Sequence, residues 1–120
     1  RGSEKPMEGT RVDDATKNNW SESWEKYATE HTWGVLDALF VVAEAEGKTP
    51  AQVALNWLLQ QPGVTSPIIG ARTLTHLNDN LGATGWALAA ESKAKLDTAS
   101  AIEPVYPYYM INGSRASRGR

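Results

Sequence analysis

The stretch Ser66-Pro67-Ile68-Ile69-Gly70-Ala71-Arg72-Thr73-Leu74-Thr75-His76 joins a short apolar run to the start of a helix. Residues 66–69, bounded by Pro and Gly, have the pattern of a buried strand, and they are the one good strand candidate in the sequence. Thr73 can cap a helix that runs to about residue 83. A strand that ends in glycine and leads into a helix presents backbone N–H groups, which attract phosphate.

Polar side chains follow this junction at helical spacing. Arg72 adds a guanidinium that can hold a phosphate through two parallel hydrogen bonds. His76 and Asn80 follow Arg72 at steps of four residues, so the same helix face offers flat polar groups suited to an adenine or a ribose. The pattern predicts a nucleotide-phosphate site. It also fits a second interpretation, in which Arg72 and Asp79 form a solvated face that carries only a salt bridge.

A second helix start lies upstream, at Thr49-Pro50-Ala51-Gln52. These residues combine an N-cap Thr, a Pro at the first helical position and a Gln that completes a capping box. They predict a helix over residues 50–60. Apolar side chains cover nearly the whole circumference of this helix, so it needs cover from more protein than one neighbouring helix.

The remaining segments divide the chain into three parts. Residues 1–21 are polar, lack periodicity and are expected to form an arm or loop. Residues 22–100 form the helical region with its one strand; a helix over residues 22–46 is indicated by the spacing of Trp20, Trp24 and Tyr27 and ends at Gly47. A weaker helix is expected over residues 90–99, with Leu96 as its large apolar anchor. Residues 101–120 are expected to form an aromatic extended segment and a disordered tail.

Composition narrows the classes of partner and site. The 120 residues carry 12 basic and 14 acidic side chains, a net charge of −2, which argues against a nucleic-acid partner. No cysteine is present, which excludes disulfides and thiolate metal sites and fits a cytoplasmic location. Because carboxylates do not group around His31 or His76, we expect no metal site. No apolar stretch is long enough to predict a membrane span.

Three motifs resemble the C-terminal part of the aldo-keto reductases, in that family's order: Gly47-Lys48-Thr49-Pro50-Ala51-Gln52-Val53-Ala54-Leu55-Asn56-Trp57, Pro67-Ile68-Ile69-Gly70-Ala71-Arg72 and Leu77-Asn78-Asp79-Asn80-Leu81-Gly82-Ala83. The resemblance covers roughly residues 9–111. These enzymes are NADPH-dependent oxidoreductases on a (β/α)8 TIM barrel. The expected fold is therefore mainly α with one short strand, an incomplete C-terminal fragment of such a barrel. Phosphate sites near the last strands of barrel enzymes agree with this.

The resemblance also implies roles for six residues of a cofactor site. Arg72 would lie against the 2′-phosphate of NADPH, which would explain a preference for NADPH over NADH. The backbone of Gly70 and Ala71 would line the path of the pyrophosphate and adenosine. Asn80 would bond the adenine edge, and Asp79 matches an acidic ribose or adenine contact. His76 departs from the family, which usually has Gln at this position.

The catalytic residues that the resemblance implies have no match in this sequence. In the family, a Tyr proton donor acts with Lys, Asp and His partners from the first half of the barrel. The four tyrosines lack that context and are interpreted as packing or surface aromatics: Tyr27, Tyr106, Tyr108 and Tyr109. We therefore expect a cofactor-binding part of an enzyme that reduces aldehydes or ketones, inactive alone.

Two other interpretations remain open. One is a non-catalytic helical module that binds a nucleotide weakly, or that associates with itself or with a partner chain such as a missing N-terminal part, because exposed apolar helix faces favour association. The other is a remnant without a selected role.

Overall fold

A computed structural model of the chain describes residues 6–20 and 24–102. Within these two ranges the secondary structure is helical. The helices are α1 (Arg11–Lys17), α2 (Trp24–Tyr27), α3 (Glu30–Glu46), α4 (Pro50–Leu59), α5 (Leu74–Leu81) and α6 (Ala90–Ala99). None of the helices in the described ranges is long and apolar enough to cross a membrane.

Helix α3 begins and ends at residues with the expected capping chemistry. The Thr29 hydroxyl oxygen accepts a hydrogen bond from the Thr32 N–H at 3.2 Å, and Gly47 ends the helix in the left-handed conformation with φ 63°. The single helix predicted over residues 22–46 is therefore wrong in its first part. Thr29 is extended, with φ −108° and ψ 157°, because its side chain caps a new helix, and α2 ends before it.

Helix α4 confirms the prediction over residues 50–60 to within one residue. The Thr49 oxygen accepts from the Gln52 N–H at 3.2 Å, and the Gln52 side-chain oxygen accepts from the Thr49 N–H at 3.3 Å. This is the reciprocal capping box that the sequence indicates, with Pro50 in the first turn.

Helices α5 and α6 also form where they are expected. Thr73 caps α5 by accepting from the His76 N–H at 3.1 Å, and α5 ends at Leu81, two residues before the predicted end. Helix α6 covers residues 90–99 as predicted, although Ala89 at its N-cap has no side chain able to bond the first turn.

Two other predictions are wrong. Residues 66–69 form no strand, and the described part of the chain contains no strand that could pair with them. A ladder needs a partner for its N–H and C=O groups, so an apolar run alone does not make a strand. Residues 11–17, predicted to lie in an irregular arm, form α1, because Thr10 and Asp13 supply helix-start chemistry. The aromatic extended segment and disordered tail predicted over residues 101–120 lie outside the described residues from residue 103 onward.

The core lies where α3, α4 and α6 meet. Its buried side chains are Val42, Ala43, Val53, Leu88 and Leu96. Asn56 of α4 is also buried, and its side-chain nitrogen donates to the carbonyl oxygens of Ala83 and Trp86 at 2.8 and 2.9 Å. The segment between α5 and α6 is thus held against α4 by one amide.

The leucine side chains of α5 are largely uncovered. Leu74 is 77% exposed and Leu81 is 53% exposed, while Leu77 is half-buried. Ile68, just before the helix, is fully exposed. Helices α3, α5 and α6 therefore pack against α4, but an apolar surface around residues 68–81 stays exposed.

Candidate anion-binding site

An open cavity of about 650 Å³ lies beside the start of α5. It is formed by two stretches that are distant in the sequence, the loop before α5 and the start of α1. The lining residues are Gly9, Thr10, Arg11, Gly70, Ala71, Arg72 and His76. Four of the six predicted site residues therefore share one cavity.

The charge of this cavity favours an anion. Arg11 and Arg72 each carry a permanently charged guanidinium with several N–H donors. Among the described residues that line the cavity, none has a carboxylate. The first turn of α5 also lacks an acidic residue, so its positive dipole end is not neutralised there. The donor set fits the phosphate groups of a nucleotide.

The backbone at Gly70 leaves space for a ligand. A Cβ built on Gly70 would meet no atom of the described chain within 4 Å. Ala71 and Arg72 are likewise exposed. A bound group could therefore approach the main chain of this loop from solvent.

Asn80 lies behind the loop and not on the cavity. Its side-chain nitrogen donates to the Gly70 carbonyl oxygen at 3.2 Å. Asn80 also lines a smaller cavity of about 240 Å³, together with apolar residues such as Ile69 and Leu81. The amide thus ties the loop to α5, and the structure keeps it apart from Arg72 and His76.

Asp79 faces α4. Its carboxylate accepts from the Thr49 hydroxyl at 3.1 and 3.3 Å and from the Gln52 side-chain nitrogen at 3.0 Å. Among the described residues no ion pair joins Asp79 to Arg72. The salt-bridging face considered for these two residues is therefore not formed.

The contribution of residues 9–11 was missed in the sequence analysis. The signal for it is the spacing of Thr10 and Asp13, which is that of a helix N-terminus. The Thr10 hydroxyl oxygen accepts from the Asp13 N–H at 3.3 Å, and the Asp13 carboxylate accepts from the Gly9 N–H at 2.9 Å. Recognising this start would have placed Arg11 at the first position of a helix, although not beside Arg72.

Asp13 is compensated within its own helix. The Lys17 ammonium, 2.7 Å from a carboxylate oxygen, lowers the pKa of Asp13 below its ordinary value, and the Gly9 N–H bond lowers this pKa further. The carboxylate is therefore ionised at neutral pH and paired with Lys17.

Comparison with known proteins identifies similar sequences. Residues 4–101 match the model of a family described as the aldo/keto reductase family. The chain is 40% identical over 70 residues to a chloroplastic pyridoxal reductase of Arabidopsis thaliana, covering 58% of this chain and 19% of that protein. It is 30% identical over 112 residues to norsolorinic acid reductase B of Aspergillus parasiticus, and the match covers 93% of this chain and 29% of that protein. Protein tas of Escherichia coli is 29% identical to the chain over 92 residues, and this match covers 77% of the chain and 26% of that protein. The chain thus spans between a fifth and a third of the length of these relatives.

Proposed function

The chain belongs to the aldo/keto reductase family, and we therefore propose that it is the C-terminal, cofactor-binding part of an NADPH-dependent oxidoreductase that reduces aldehydes or ketones. The observation that carries the proposal is the cavity lined by Arg72, Arg11 and His76 without a carboxylate. The (β/α)8 barrel of the family would be completed by a further part of the protein, which would also bind the carbonyl substrate. The absence of cysteine supports a cytoplasmic location.

The residues of this chain would bind and orient the cofactor. Arg72 would hold the 2′-phosphate through paired N–H donors, while Gly70 and Ala71 would let the pyrophosphate and adenosine pass close to the main chain. His76, in place of the usual Gln, offers one ring nitrogen at the edge of the same cavity. Asn80 and Asp79 are proposed next to the adenine and ribose, where each would add a cofactor contact to the bonds that it already makes.

When bound, NADPH supplies a hydride for the carbonyl carbon of the substrate. We assign no catalytic role to a residue of this chain. Tyr27, the tyrosine within the described ranges, is an exposed residue of the short helix α2 and lies on no part of the cavity lining. The 120-residue chain is therefore expected to bind cofactor without reducing a carbonyl.

The test is a thermal melt followed by circular dichroism, with NADPH and with NADH as its control. We expect NADPH to raise the melting temperature of the chain more than NADH does, because ligand that binds the folded state stabilises it by mass action. Arg72→Met should weaken NADPH binding about tenfold or more, the loss expected for one charge-assisted hydrogen bond, and should leave NADH binding nearly unchanged.

Lys95→Met provides the matched control for this substitution. Lys95 is an exposed cation of α6 that lies outside the cavity lining, so its removal changes net charge equally without touching the site. An equal loss of NADPH affinity in Arg72→Met and Lys95→Met would indicate non-specific electrostatic attraction. A wild-type melt that does not move with NADPH would contradict the proposed function.

The second candidate is a non-catalytic helical module that associates with itself or with another chain. It is favoured by one observation, the exposed apolar surface formed by Ile68, Leu74 and Leu81. Under the first proposal this surface would be covered by the rest of the barrel, including an N-terminal part. The second candidate function predicts that the 120-residue chain forms a stable oligomer without nucleotide.

A further inference from the structure

One hydrogen-bonded cluster joins the start of α4 to α5. The Gln52 side-chain nitrogen donates to the carboxylate of Asp79 at 3.0 Å and to the Asp79 carbonyl oxygen at 3.1 Å. Thr49 donates its hydroxyl to the same carboxylate. Gln52 and Asp79 are half-buried, so water competes less with these bonds than it does on an open surface.

Gln52 uses both ends of its amide in different helices. Its oxygen completes the capping box of α4 by accepting from the Thr49 N–H, and its nitrogen reaches Asp79 of α5. A capping box needs only the oxygen, and glutamate serves there equally well. The side-chain nitrogen of Gln52 is needed only for the contact with Asp79. A glutamate at position 52 could not make this contact, because its carboxylate has no N–H to donate.

Gly82, at the C-terminal end of α5, lies close to this contact. A Cβ built on Gly82 would collide with the side-chain nitrogen of Gln52. The α5 end therefore approaches Gln52 as closely as a residue without a side chain allows. Rotation or translation of α5 would break the contact.

The same helix sets the geometry of the cavity. His76 lies one turn before Asp79 on α5, and Asn80 holds the Gly70 carbonyl oxygen at 3.2 Å. The loop that carries Arg72 is thus fixed to α5, which is in turn fixed to α4 through Gln52. A shift of α5 would move Arg72 and His76 together.

On the basis of the proposed NADPH site, we infer that Gln52 is a positioning residue whose amide, through Asp79, holds α5 and its loop where Arg72 reaches the 2′-phosphate. Gln52 lies outside the cavity lining and need not touch the cofactor. Its effect is transmitted through α5. Preference for NADPH over NADH is then a property of the contact between α4 and α5 as well as of Arg72.

The decisive variant is Gln52→Glu in the full 120-residue chain. Glutamate preserves the capping-box oxygen but sets a second carboxylate against Asp79, so α4 keeps its cap while its contact with α5 is lost. We expect the Kd for NADPH to rise about tenfold, with a much smaller change for NADH, because the 2′-phosphate contact depends on the position of Arg72. The amide NMR shifts of residues 73–76 should change even without cofactor.

Trp57→Phe is the matched control. The Trp57 ring nitrogen donates to Asp97 at 2.8 Å, so this substitution removes a side-chain bond between α4 and α6 on the other side of the same helix. It should lower the melting temperature without changing the ratio of the two dissociation constants. A general loss of stability would therefore not account for a change in that ratio.

The double variant Gln52→Glu with Asp79→Asn reverses donor and acceptor across the contact. It should recover most of the NADPH preference, since the amide introduced at position 79 can donate to the new carboxylate and still accept from Thr49. Three results would each overturn the inference but leave the proposed function standing. These are a wild-type preference for NADPH in Gln52→Glu, an equal loss of that preference in Trp57→Phe, and no recovery of it in the double variant. A wild type that does not distinguish NADPH from NADH would overturn the proposed function and the inference with it.

Discussion

Asn56 is a polar residue held within an apolar interface, with 2% of its surface exposed. Its nitrogen donates to two carbonyl oxygens, and its oxygen accepts from the Leu88 N–H at 3.2 Å and from the Gln60 side chain. The segment after α5 has no regular structure of its own, and three of its main-chain groups are bonded by this side chain. Specific hydrogen bonding, as well as apolar burial, fixes the position of α4.

Substitution Asn56→Leu tests this dependence. It keeps the size of the side chain but leaves the Ala83 and Trp86 carbonyls and the Leu88 N–H without their partner. We expect the free energy of unfolding, measured by urea denaturation, to fall by about 3 kcal/mol, because each buried unpaired group costs about 1–3 kcal/mol. Thr98→Ala on the exposed face of α6 is the control, with an expected change within about 0.5 kcal/mol. Equal stability of Asn56→Leu and wild type would contradict the assignment.

At the level of secondary-structure elements, α6 packs against α3 and is bonded to α4 through side chains. Leu96 is its buried apolar anchor. The Asp97 carboxylate accepts from the Trp57 ring nitrogen of α4 and from the side-chain nitrogen of Gln61, which follows α4. Lys93, one turn earlier, lies 2.7 Å from the same carboxylate. The Lys93 ammonium and then the Trp57 N–H lower the pKa of Asp97 below its ordinary value of 3.8.

The stability contributed by Asp97 should therefore depend on pH. Since its pKa is lower in the folded than in the unfolded chain, ionised Asp97 stabilises the fold above the unfolded pKa, and this contribution is lost as pH falls through the folded pKa. Asp97→Asn should have a lower melting temperature than wild type at pH 7, and the difference should shrink below about pH 4. A difference that stays constant across this range would show that the ionised form is not preferred in the fold.

At the scale of the whole molecule, apolar surface remains exposed on two sides of α4. A groove of about 300 Å³ is lined by apolar side chains of α3 and α4, including Val35, Leu39 and Leu58. The second area is formed by Ile68, Leu74 and Leu81 around α5. Such surface is expected to drive association in water unless another part of the protein covers it.

Sedimentation velocity at increasing protein concentration tests this expectation. We predict that the wild-type chain associates and that Ile68→Lys with Leu74→Lys reduces association, because two charges interrupt the apolar surface at exposed positions. The free energy of unfolding should change little, since neither side chain is buried. Ser66→Lys with Thr75→Lys, at exposed polar positions nearby, is the control. Equal association in both double variants would attribute the effect to charge alone.

Local sequence is sufficient to predict the helix boundaries at Thr49, Thr73 and Gly47, and it contains the motifs that the chain shares with its family. Each boundary depends on groups within one helical turn, so local chemistry is sufficient to predict it. The tertiary structure alone decided that residues 66–69 lack a strand partner, that Arg11 shares a cavity with Arg72, and that Asp79 bonds α4. These outcomes depend on packing between segments far apart in the chain, and residue spacing within one segment carries no information about which distant surface will meet it.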